Sequence, residues 1–92
     1  MRYLFTFAST TSAFFTDKML KDSKSALTWE LVSIPPALSN TCYGIGVQID
    51  APLEEVRKVY ASARKQKISV KHCWREEGKG YVNADKEIVK HE

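Results

Sequence analysis

A chain of 92 residues has room for one domain and no second. With 43% hydrophobic and 27% charged residues it is globular in composition, which excludes a disordered chain and a membrane-embedded one. The net charge of +3 is spread over well-mixed signs, without the concentrated basic stripe that nucleic acid requires.

Tyr3–Phe7 is a short aromatic and β-branched run and reads as a buried strand. Ser9 and Thr10 follow as helix-capping residues. Thr11–Asp22 then reads as a helix, with Asp17 and Lys21 paired one turn apart, although the Phe14-Phe15 doublet blurs its periodicity. Leu27–Ile34 is a second strand, with Trp29 and Leu31 alternating against Thr28 and Glu30. Pro35-Pro36 stops it, because neither can donate to a ladder.

A loop over Ala37–Thr41 leads to Cys42. Tyr43, Ile45, Val47 and Ile49 then alternate with Gly44, Gly46 and Gln48, the clearest strand pattern in the chain. The two glycines leave one face bare, open to close approach by another backbone or a partner. Asp50 and Pro52 open a second helix on Leu53, Val56, Tyr60 and Ala63, with Glu54 and Lys58 paired outside. Ile68, Val70, His72 and Trp74 alternate with Ser69, Lys71 and Cys73 as a fourth strand.

The order is βαββαβ, which predicts an α+β domain of ferredoxin-like layout over 1–75. It would have an antiparallel four-stranded sheet and two helices on one face. Residues 76–92 form a C-terminal extension, expected as an edge strand at Tyr81-Val82, a short helix over Asn83–His91, or both. Following the chain up and down this layout brings three features to one end. They are the loop carrying Cys42, the cap Ser9-Thr10-Thr11-Ser12, and the basic turn with Arg64, Lys65 and Lys67. Cys73 falls near the other end.

That convergence makes Cys42 the candidate reactive atom. A helix N-terminus presents unpaired N–H groups and partial positive charge, which favour a thiolate and lower its pKa from about 8.5. Hydroxyls of Ser9, Thr10 and Thr11 add donors, and Lys65 and Lys67 add field. The same surroundings would hold a persulfide or a selenide anion.

At these residues the sequence resembles the small bacterial family of selenium/sulfur carrier-like proteins. Leu4-Phe5-Thr6-Phe7-Ala8-Ser9-Thr10 is similar to its opening strand and cap. So are Ala13, the Lys18…Leu20-Lys21 stretch, the Ile34-Pro35 strand end, and Ser39…Cys42, from Tyr3 to about Trp74 overall. The resemblance implies a sulfur or selenium carrier rather than an enzyme, with Cys42 as acceptor. No cofactor is expected beyond a covalent persulfide or selenide on Cys42, and the partners would be sulfur- or selenium-transfer proteins. The chain departs from the family in placing Tyr43 between the cysteine and Gly44.

Other classes are weaker. Two cysteines are too few for a disulfide scaffold, and with His72 and His91 they lack zinc-site spacing. Polar Thr6, Ser9, Thr10, Thr11 and Ser12 break the N-terminal apolar run, unlike a signal peptide, and nothing approaches the ~20 apolar residues of a membrane span. The expectation is a cytoplasmic protein with reduced thiols and neither membrane nor nucleic acid as partner. Thr41–Gln48 sits where an RNA-recognition motif keeps its aromatics, yet only Tyr43 and Gly44 fit. The alternative function is a non-catalytic homodimeric module, joined through a sheet face carrying Tyr3, Trp29, Tyr43 and Trp74.

Overall fold

A computed structural model describes residues 1–23, 27–35, 38, 44–78 and 80–88. The elements, in chain order, are β1 (Arg2–Phe7), α1 (Thr10–Asp22), β2 (Thr28–Ser33), β3 (Ile45–Asp50), α2 (Leu53–Lys65), β4 (Val70–Glu77), β5 (Gly80–Asn83) and α3 (Asp85–Ile88). The strands lie in the order β2-β3-β1-β4-β5, each antiparallel to its neighbours. None of the described helices is long and apolar enough to cross a membrane.

The period of two sends Tyr3, Phe5 and Phe7 of the central strand to one face and Leu4 and Thr6 to the other. Tyr3 lies opposite Ile49 and Phe5 opposite Val47 on one side, and Phe5 opposite Cys73 on the other. All join one core cluster with Ala13, Met19 and Leu20 of α1, Val56, Val59, Tyr60 and Ala63 of α2, and Ile88 of α3. Tyr60 meets Phe5 edge-on, with ring centroids 6.3 Å apart. The amphipathic patterns thus put all three helices on the same side of the sheet.

The sheet has five strands: the four expected over 1–75, and β5 at Gly80–Asn83, where an edge strand was one expectation for the extension. Gly78, at φ +57, supplies the left-handed turn that folds the chain back after Glu77, and β5 pairs with β4 from Trp74–Asn83 to Glu77–Gly80. The segment beyond residue 75 then packs inward: Ala84 and Ile88 are both 1% exposed.

A second departure lies in β4. The register with β1 slips between Thr6 and Phe7, which face His72 and Val70, so that Lys71 is the extra residue of a bulge. The bulge reverses the phase of the strand. Val70 packs on the helix-side core, His72 and Trp74 turn to the opposite face, and Cys73 returns to the core at mid-sheet instead of near the far end.

The face away from the helices differs from the expected aromatic surface. Tyr3 is buried in the helix-side core, and Trp29 packs against that core and donates its indole N–H to Asp17 of α1 at 2.9 Å. Tyr43 lies outside the described residues. Of the three described aromatics only Trp74 is found on that face, and its indole N–H donates to Thr6 Oγ1 at 3.2 Å. Leu4 and Thr6 are fully buried there, and δ-methyls of Leu4 and Ile34 converge over Gly46. Near Arg2 the same face turns polar, with Gln48, Glu76 and Tyr81 around it.

The ion pairs and endings of the two long helices follow their sequences only in part. Asp17 and Lys21 pair at 3.0 Å as expected, whereas Lys58 pairs with Glu55 at 3.4 Å rather than with Glu54. After α2, the Ile68 N–H bonds the Ala63 carbonyl at 2.9 Å and the Lys67 N–H bonds that of Arg64 at 3.0 Å, the paired bonds of a Schellman ending. Lys67 takes the left-handed position, φ +61, that usually belongs to glycine. A side chain there costs about 1 kcal/mol or more.

Candidate functional site

The N-terminus of α1 carries the expected cap. Ser9 is extended (φ −146, ψ 156), and its hydroxyl accepts the Ser12 N–H at 3.4 Å. The first turn holds no acidic residue, so its partial positive charge is not cancelled locally. Thr10 begins the helix, Thr11 is exposed beside it, and the Thr16 hydroxyl returns a bond to the Ser12 carbonyl at 3.0 Å.

The chain entering β3, the neighbour of β1, reaches this cap. The Ile34 N–H bonds the Gly44 carbonyl at 3.0 Å and closes the connection between β2 and β3. Gly44 has φ +87, and a β-carbon placed on it would stand 2.8 Å from Cγ2 of Thr10. The chain therefore passes close against the Thr10 methyl, at a left-handed backbone angle that favours glycine. Cys42, two positions earlier in the sequence, lies outside the described residues.

Lys65 ends α2 and Lys67 follows its cap, both exposed. Lys67 and Ser12 line the same groove of about 470 Å³ between α1 and the turn leaving α2. Ser9, Thr10, Gly44, Ser12 and Lys67 are thus linked by direct contacts or a shared groove, while no described contact brings Lys65 or Thr11 to them.

The second cysteine has other surroundings. Cys73 is fully buried, and burial pushes its thiol far up, with the nearby Asp85 carboxylate adding to the shift. Asp85 Oδ1 accepts the Cys73 backbone N–H at 2.7 Å, and Oδ2 lies 2.9 Å from His72 Nδ1. Desolvation works to raise the Asp85 carboxyl, but hydrogen bonds from His72, Cys73 and Asn83 outweigh it and hold the group below the ordinary range. His72 is a satisfied strand residue, edge-on to Trp74 at 5.7 Å. This cluster fastens α3 to β4.

Sequence reasoning passed over the groove itself, although one signal for it was present. Phe14 and Phe15 blurred the helical period because both are exposed, at 49% and 57%, and neither belongs to the buried face.

Neither the curated proteins nor the solved structures gave a match to the chain. The family model described as "Putative Se/S carrier protein-like" matches residues 2–75, from the first strand through Arg75. By that match, which takes in the cap, Gly44 and Cys42 together, the chain belongs to the Se/S carrier protein-like family.

Proposed function

We propose that the protein carries sulfur or selenium as a persulfide or selenide on Cys42. The observation that supports this most directly is the close approach of Gly44 to Thr10. Two residues of chain span at most about 7 Å, and we take Cys42 to lie within that reach of Gly44, on the side of the α1 cap. In this reading the free N–H groups of the first turn and the hydroxyls of Ser9 and Thr10 stabilise a sulfur anion, with Lys67 adding positive field. We read β1 to β4 as a ferredoxin-like unit, whose strand order brings these segments to one end of the sheet.

Loading is an exchange without net redox change. The Cys42 thiolate attacks the outer sulfur of a donor persulfide, a new S–S bond forms, the donor's S–S bond breaks, and the donor departs as thiolate. Cys42 is left as a persulfide anion, and a sulfur-transfer protein is the expected next acceptor. A donor perselenide would deliver selenium by the same displacement. In this reading the protein works in a reducing, cytoplasmic compartment as a carrier, and chemistry on the final acceptor belongs to its partners.

Intact-mass spectrometry after incubation with a small-molecule persulfide donor tests the reading. Wild-type and Cys73→Ser protein should each gain one sulfur that dithiothreitol removes, and Cys42→Ser protein should gain none. Uptake that survives Cys42→Ser would end the proposal.

A further inference from the structure

The groove between α1 and the turn after α2 has features that sulfur chemistry alone does not require. Met19 and Ile68 form a buried apolar floor, and exposed Phe15 makes one wall. Phe14 beside it is also exposed, so α1 offers two adjacent phenyl rings to solvent. Lys18 and Lys67 line the groove against a single acid, Asp22, and Lys65 stands two residues from Lys67. The other nearby acid on α1, Asp17, is held by Lys21 and the Trp29 indole. Lys67 also occupies a backbone position that favours glycine, φ +61.

We propose that this groove docks an acidic segment of a protein partner. An aliphatic side chain of the segment sits on Met19, Ile68 and Phe15, and flanking carboxylates meet Lys18 and Lys67. The groove starts at Ser12, which is bonded to the cap residue Ser9. On the carrier reading, which takes Cys42 to sit by that cap, a partner seated there is the donor or acceptor of the carried atom. In that last respect alone the inference rests on the carrier reading. Charge favours an acidic protein over nucleic acid: the two groove lysines, Lys18 and Lys67, opposed by Asp22, give too few phosphate contacts to survive physiological salt.

The test uses a fluorescein-labelled hexapeptide alternating glutamate and leucine, with a lysine–leucine peptide as control. Titration into isotope-labelled full-length protein should shift the amides of Ser12, Phe15, Met19 and Gln66–Ser69, and the affinity should weaken as salt is raised. Lys67→Gly should weaken binding about threefold while its melting temperature stays at or above that of the wild type. Lys18→Glu combined with Lys67→Glu should weaken it about tenfold or more. Four results would overturn the proposal: no shifts or shifts elsewhere, equal binding of the lysine peptide, the same shifts from single-stranded RNA at physiological salt, or concentration-dependent shifts without peptide, which would make a second copy the occupant. The titration is repeated on Cys42→Ser protein. Binding there, together with failed sulfur uptake by the wild type, would remove the carrier reading and leave the groove; uptake without binding would do the reverse.

Discussion

Asp85 serves Cys73 as a neighbouring strand would: its Oδ1 accepts the Cys73 amide at 2.7 Å, one residue after the Ala84 N–H has bonded the Cys73 carbonyl at 2.8 Å. The sheet edge beyond β5 is thus finished by a side chain, and the same carboxylate meets His72. Replacing Asp85 with alanine strands a buried backbone N–H and removes charged hydrogen bonds, which should cost about 1.5–3 kcal/mol. Urea unfolding of Asp85→Ala measures this, and an unchanged midpoint would contradict the role.

The same carboxylate gives a pH dependence with a definite sign. Its folded pKa is held below the ordinary 3.8, so its contribution is complete above that value and is lost as pH falls through the depressed one. Wild-type stability should therefore decline from about pH 5 downward. The decline should be shallower in Asp85→Ala. Parallel curves for the two proteins would show that Asp85 does not carry it.

Gly46 is a packing requirement of the sheet. A β-carbon there would lie 2.7 Å from the Phe5 carbonyl oxygen and 3.0 Å from side-chain carbons of Ile34 and Leu4. Phe5 belongs to the central strand and has no freedom to retreat. Gly46→Ala should destabilise by about 1–3 kcal/mol, read as a lower melting temperature.

The two thiols should separate cleanly under alkylation. Cys73 is fully buried and its thiol is pushed far up by burial and then by Asp85, so iodoacetamide at neutral pH should leave it untouched in the folded protein. Native wild-type protein should take one label, at Cys42, and a second only in denaturant. Native Cys42→Ser protein should take none. Labelling of Cys73 without unfolding would mean that β4 opens far more readily than its buried contacts allow.

Much of this architecture is legible in the sequence because it is written in short periods. The alternation around Val47 and Ile49, the spacing of Val56, Tyr60 and Ala63, and the Ser9 cap each give their element directly. What escaped depends on non-local events. The bulge at Lys71 brings Val70 and Cys73 to one face, where strict alternation parts them, and no local pattern marks an extra residue whose only evidence is its partner on β1. The edge strand and short helix of the tail after Arg75 were expected, but Ala84 and Ile88 are too few to form a period, so their place in the core was not legible. Trp29 was assigned to the open face because alternation tells which residues share a side and not which side the helices cover. At the site, Ser9 and Thr10 were recognisable from capping chemistry, whereas the Gly44–Thr10 contact joins residues 34 apart and needed the fold.

That contact makes the last prediction. Gly44 sits at φ +87 with 2.8 Å between its notional β-carbon and Thr10 Cγ2. Alanine would suffer on both counts, from a left-handed backbone costing about 1–2 kcal/mol and from the clash. Adding Thr10→Ser removes the offending methyl and keeps the hydroxyl, so the double variant should recover the clash and retain the backbone cost. Gly44→Ala must therefore be less stable than Gly44→Ala/Thr10→Ser, with both below the wild type. Function should follow the same order if the contact positions Cys42. The rate of sulfur uptake from a persulfide donor should fall several-fold in Gly44→Ala and rise again in the double variant. Gly46→Ala is the control, being destabilised within the sheet and away from Thr10, and under native conditions it should load at close to the wild-type rate. If Gly44→Ala folds as stably and loads as fast as the wild type, the contact does not position the loop, and the approach of β3 to the α1 cap has no part in holding the carried atom.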